Sequence, residues 1–231
     1  DFDYFITLEQ EVLFNDNLFQ YDAQGTNKPA PINIRYNGKL TLRNCTFNNS
    51  RSRTNSGGNV LYCNTEFSIE VYFISCNFQN CGNSKDCAII DIQNRNSKIN
   101  LYKCDFIFDN SDVSSMAIKS NCIAANIDNC KFIKTCGISI SRSTISDASQ
   151  LSITKCSFDY CGSETMNFLD LSLGQPSSIV FENINISNMI RNEGQKFTMY
   201  LKADSNIQEM ELRNISFTDN SCFSLFGGGV G

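Results

Sequence analysis

The chain of 231 residues contains no histidine and no tryptophan. Without His it lacks the commonest general base and the commonest metal ligand, which removes His-dependent hydrolytic and zinc chemistry. C-x-x-C pairs are also absent, so no metal centre and no cofactor site are expected. No apolar run reaches the roughly eighteen residues that a membrane-spanning helix requires. Net charge is −5 with neither sign clustered, whereas a nucleic-acid surface needs concentrated Lys and Arg. Adjacent Asp pairs do not occur, nor does any Gly-His-Gly segment.

What is present is a pattern that repeats. Residues 151–158 read LSITKCSF, with apolar side chains at Leu151, Ile153, Cys156 and Phe158. The same quartet stands at Leu40, Leu42, Cys45, Phe47; at Val71, Phe73, Cys76, Phe78; and at Ile99, Leu101, Cys104, Phe106. It returns at Ala125, Ile127, Cys130, Phe132; at Ile179, Phe181, Ile184, Ile186; and at Met210, Leu212, Ile215, Phe217. The third positions are 31, 28, 26, 26, 28 and 31 residues apart, a period that marks a solenoid. Steps of two inside the quartet predict strands with one face inward. The single step of three predicts a corner. The residue before each third position is Asn44, Ser75, Lys103, Asn129, Lys155, Asn183 and Asn214, and Asn tolerates the left-handed conformation that a tight bend needs.

A looser apolar patch follows each quartet from Leu40 to Ile186: VLYC (60–63), CAIIDI (87–92), MAI (116–118), GISI (137–140), NFLDL (167–171) and FTMYL (197–201). These are short, rich in β-formers and bounded by turn residues. One repeat is therefore strand, corner, strand, turn, strand, turn. The fold expected is all-β: a right-handed parallel β-helix of about seven coils, of the pectin-lyase type, over 39–231. Residues 1–38 are expected to form an N-terminal cap and first edge strand. A leucine-rich-repeat solenoid is the alternative, since L-x-L-x-x-C-x-F resembles its core. That architecture wants Leu eight residues before each third position, where this chain has Asn37, Ser68, Asn96, Cys122, Ala148, Pro176 and Ile207.

Twelve cysteines, an even number, point to an oxidising, secreted or cell-surface setting. Four N-x-S/T sequons, at Asn44, Asn48, Asn185 and Asn214, agree with it. A signal peptide is then expected to have been removed ahead of Asp1. Ile184 and Ile215 replace Cys in the third-position ladder, so Cys45, Cys76, Cys104, Cys130 and Cys156 are read as buried thiols packing as small hydrophobes. Cys63, Cys81, Cys87, Cys122, Cys136, Cys161 and Cys222 are the disulfide candidates, Cys136–Cys161 first among them.

Catalysis on acidic polysaccharides needs placed carboxylates. Asp105 and Asp159, with Lys131 between them, read more simply as a solvated, charge-compensated stripe. No catalytic residue is assigned. GGNV at 57–60 follows CTFNNS, MAI at 116–118 follows FIFDNS, and GGGV at 227–230 follows ISFTDNSC, in which Phe217–Asn220 spells F-x-x-N. In this grammar the chain from Leu40 onward resembles the chlamydial polymorphic membrane proteins and similar trichomonad surface proteins. The resemblance implies an exported β-helical passenger serving adhesion, coating or assembly. The function expected is a non-catalytic structural or adhesive scaffold, meeting protein partners, glycans or its own copies through coil edges. No nucleic-acid partner and no membrane insertion are expected. The alternatives are a polysaccharide-active enzyme or carbohydrate-binding module on this fold, and a leucine-rich-repeat protein binder. The final FGGGVG opens a rung that further chain or a partner is expected to continue.

Overall fold

A computed structural model describes residues 5–6, 11–22, 32–34, 37–51, 58–64, 66–82, 88–109, 115–141, 149–161, 169–173, 177–188, 199–203, 207–218 and 225–227. Every regular element among them is a strand, and every strand pairing is parallel. The strands wind into a β-solenoid. Five successive turns, from Gly38–Arg43 to Leu169–Leu173, are each built of three separate strands. Strands also stack before and after these turns.

The first face carries the first two quartet positions. Its strands Gly38–Arg43, Ile69–Ile74, Lys98–Tyr102, Ala124–Asp128 and Ser149–Thr154 pair in register, so Leu42, Phe73, Leu101 and Ile127 lie in one column. The second face carries the fourth position. Here Phe19, Phe47, Phe78, Phe106, Phe132 and Phe158 stack with ring centroids 4.7, 5.0, 4.4, 5.0 and 4.7 Å apart and planes within 9° of parallel. Each such ring buries on the order of 150–250 Å². The third face consists of the return patches, all six of which are strands: Gly58–Cys63, Ala88–Ile92, Met116–Ser120, Gly137–Ser141, Leu169–Leu173 and Met199–Ala203. A leucine-rich repeat would show helix or 3₁₀ there, so that alternative fails.

Between first and second faces the chain bends as expected. Asn44, Ser75, Lys103, Asn129, Lys155, Asn183 and Asn214 all take φ between 50 and 55°. The bend does not interrupt the ladder of backbone bonds. The Ser75 amide donates to the Tyr102 carbonyl at 2.8 Å, and the Asp105 amide to the Cys76 carbonyl at 3.0 Å. A second left-handed corner, two residues past the fourth position, falls at Asn49, Asn80, Lys134, Tyr160 and Asn188. Three of these five are Asn, the residue that marks the first corner, so the signal was present in the sequence.

Residues 11–22, within the stretch expected to form the cap and first edge strand, contain two strands. Glu11–Asn15 pairs with Gly38–Arg43 and Leu18–Asp22 with Thr46–Arg51. Val12, Phe14, Asn17 and Phe19 repeat the quartet's spacing, with Asp16 left-handed at φ 55°. The frame therefore begins one repeat earlier than the cysteines advertise. At the other end Met210, Leu212 and Phe217 remain 39, 44 and 38 % exposed, because nothing stacks beyond Ile207–Thr218 among the described residues.

Candidate functional site

The inside corner shows what the cysteines do. Cys45, Cys76, Cys104, Cys130 and Cys156 are buried, and each thiol donates to the carbonyl two residues earlier, at 3.3, 3.5, 3.5, 3.3 and 3.1 Å. Asn17 makes the same bond, its Nδ2 donating to the Asn15 carbonyl at 2.8 Å. The position accepts a compact side chain with a donor. Ile184 and Ile215 satisfy only the first half of that description. At the second corner the Cys81 and Cys161 thiols reach the carbonyls of Gln79 and Asp159, both at 3.5 Å, but lie nearer those of Phe47 and Phe132 on the preceding coil, at 3.3 and 3.4 Å. Burial pushes the Cys161 thiol up to about 11. Bonds with Cys104, then burial, push Cys76 and Cys130 up, while the same bonds pull Cys104 between them down. The burial of all three suits packing more than nucleophilic attack.

The expected disulfides are corrected by the same geometry. The ten described cysteines are all buried, and none is joined in a disulfide, Cys63, Cys81, Cys122, Cys136 and Cys161 included. Cys136 follows its Phe by four residues and Cys161 by three. That one-residue difference places Cys136 with Ala88 and Met116, while Cys161 sits beside Thr135 in the main core. Cys87 and Cys222 lie outside the described residues.

On the second face the outward column reads Asn77, Asp105, Lys131, Ser157, Asn185 and Ser216. Asp105 lies beside Lys131, but the next neighbour is Ser157. Asp159 stands one outward position further along and accepts from Ser187 Oγ at 2.8 Å and Asn188 Nδ2 at 2.9 Å. The Asp–Lys–Asp stripe is thus two separate columns. Burial raises the Asp105 carboxyl, and Lys131 pulls it back. Among the sequons, Asn44 Nδ2 donates to Asp16 Oδ1 at 3.1 Å and Asn214 Nδ2 to Asn183 Oδ1 at 3.0 Å. Among the described residues exposed Asn185 bonds through its Oδ1 alone, which accepts from Ser216 Oγ at 2.9 Å. Asn48 is half-buried, and its sequon partner Ser50 is fully buried.

The first face carries a concavity. One outward column runs Lys39, Glu70, Lys98, Ala124, Gln150 and Ser178; the next runs Thr41, Tyr72, Asn100, Asn126, Ser152 and Val180. Side-chain size falls after Lys98 because Ala124, Ser152 and Ser178 are small. The result is an open trough of about 480 Å³ spanning four coils. Its Lys98 end is built up by Glu70, which takes Lys98 Nζ at 3.0 Å and the Tyr72 hydroxyl at 3.1 Å, while Lys39 lies 5.3 Å from the Tyr72 ring. The bond from Lys98 holds the Glu70 carboxyl below its usual range, and Glu70 raises Lys98. The trough was missed in the sequence because its floor depends on register across 26- and 28-residue steps. Small outward residues on neighbouring coils are the signal that marks it.

Among the described residues no group of three or more Cys, Asp or Glu could hold a metal ion, and no helix could cross a membrane. The fold defines the class: a parallel β-solenoid with stacked aromatic and thiol ladders. No family model, no curated protein and no solved structure matches the chain.

Proposed function

We propose that this chain is a non-catalytic scaffold or adhesive spacer of an extracellular or cell-surface assembly, built as a right-handed β-helix of pectin-lyase type with seven coils from Leu40. The observation that carries the reading is the division of labour between inside and outside. The interior is filled by in-register ladders of Phe and Cys, which make a stiff rod. The outward carboxylates are used to join coils: Asp159 holds Ser187 and Asn188, and Asp109 accepts Asn80 Nδ2 at 2.9 Å and Gln79 Nε2 at 3.3 Å. Carboxylates engaged in this way serve stacking better than proton transfer.

Export rests on the sequons, since cysteines packed as thiols no longer argue for an oxidising compartment. Asn185 is the sequon best placed to carry sugar, because its Nδ2 is not spent on a neighbouring coil as those of Asn44 and Asn214 are. Glycopeptide mapping of the native protein tests this, with occupancy expected at Asn185. Native material without sugar in a cytosolic fraction would overturn the assignment. Lyase or hydrolase activity on an acidic polysaccharide, lost on Asp105→Asn or Asp159→Asn, would replace the scaffold reading with an enzymatic one.

A further inference from the structure

We propose that the trough on the first face binds a linear, uncharged oligosaccharide lying along the solenoid axis, with about one sugar ring per coil. The proposal rests on the scaffold reading and names the ligand class of its lateral face. Three observations carry it. The trough's volume of about 480 Å³ falls within the range of small-ligand sites. Its four coils, from Lys98 to Ser178, span three strand spacings, or ~14 Å, which suits a short run of sugar rings.

The second observation concerns hydrogen-bonding capacity. Outward polar side chains elsewhere bond across coils, as Thr154 Oγ1 does to Asp128 at 2.7 Å and Ser216 Oγ to Asn185 at 2.9 Å. In the trough no hydrogen bond joins the side chains of Asn100, Asn126 or Gln150 to another described residue. Each amide offers both a donor and an acceptor, the pair that adjacent sugar hydroxyls require. Asn100 and Asn126 repeat at the coil spacing in one column, and Gln150 stands on the next coil in the neighbouring column, above a floor that Ala124 and Ser152 keep low.

Charge and backbone then choose among ligands. Lys98, the cation of the trough, is already paired with Glu70 at 3.0 Å. Glu209 and Glu211 stand on the coil after Ser178 and Val180. An acidic polysaccharide would therefore meet a cation already paired and, on the next coil, the Glu209 carboxylate beside a Glu211 that Arg213 holds at 2.7 Å. An extended peptide gains most by adding to an open strand edge. The strands flooring this trough are paired on both sides, so that mode is closed.

Titration calorimetry of the 231-residue chain with cellohexaose, mannohexaose and hexagalacturonate tests the proposal. At least one neutral hexasaccharide is expected to bind at one site. Asn126→Ala with Gln150→Ala should weaken it about tenfold, the loss of a few hydrogen bonds. Ser152→Tyr, at a half-buried position whose side chain faces outward, fills the floor and should abolish binding while the melting temperature is kept. Failure of both neutral probes, preference for hexagalacturonate, or binding indifferent to Ser152→Tyr would each overturn the proposal. Release of shortened sugars would instead sink the non-catalytic reading and leave the site standing.

Discussion

At Cys130 a thiol in the dry interior still donates to the Asp128 carbonyl at 3.3 Å, and Asn17 makes the equivalent bond one end of the ladder away. The Asp128 carbonyl already accepts the Lys103 amide of the preceding coil at 3.0 Å, so the thiol adds a second, weak donor to an acceptor the backbone ladder has satisfied. Cys suits the position because it is apolar enough for the core and still carries a weak donor. The ten described thiols should accordingly resist a thiol reagent in the native protein and react once denatured without reductant; fewer than ten would mean that disulfides have formed. The left-handed corner makes a second residue-scale prediction. Lys155 holds φ 52°, where a side chain costs roughly 1–2 kcal/mol that Gly does not, against roughly 0.5–1 kcal/mol of extra chain entropy for Gly. Lys155→Gly should thus raise stability by about 0.5–1 kcal/mol in urea denaturation, and a loss would show that the lysine does more than turn the corner.

Among the elements, the strands of the second face depend on one ladder. Phe106 stacks between Phe78 at 4.4 Å and Phe132 at 5.0 Å and is fully buried. Phe106→Ala should cost about 3–5 kcal/mol, whereas Phe217→Ala at the exposed end should cost far less. Equal losses would mean that stacking does not concentrate stability in the middle coils. On the third face Asp91 is buried beside Lys119 and Tyr62, with Gln93 Nε2 bonded to its Oδ1. Burial raises its carboxyl, against the pull of Gln93 and Lys119. A raised folded-state pKa favours the fold below the unfolded value, near pH 4, and that contribution is lost as pH rises through the folded value. Asp91→Asn should therefore gain on the wild type between pH 4 and 7, read as a widening difference in melting temperature. The first-face strands were legible because the quartet's 2-3-2 spacing is local. The Val12–Phe19 copy was hidden by an Asn where Cys was expected, and the trough by residues whose neighbours are 26 or 28 positions away.

At the scale of the whole described solenoid, the outermost first-face strands are Glu11–Asn15 and Ile207–Thr218. Ile207–Thr218 presents Met210, Leu212 and Phe217 at 39, 44 and 38 % exposure, and an edge of that kind invites pairing. Head-to-tail growth is the obvious route, since Val12, Phe14 and Phe19 continue the same frame at the opposite end. The third face opposes it. Each turn passes through first, second and third faces in that order, ending with Leu225–Gly227 on the third. A second copy whose Glu11–Asn15 continued the first face would bring its own Phe5–Ile6 into the layer that Leu225–Gly227 already occupies. Two strands cannot share one rung, so extension into a filament requires one of them to leave. Pairing of two Ile207–Thr218 edges across a two-fold axis meets no such conflict and closes at two copies. Sedimentation at rising concentration should show a dimer and nothing larger, and Leu212→Lys should return it to a monomer by placing a charge on the edge. Species that keep growing would mean that a terminal third-face strand gives way, and a wild-type chain that stays monomeric would show that this edge does not self-pair.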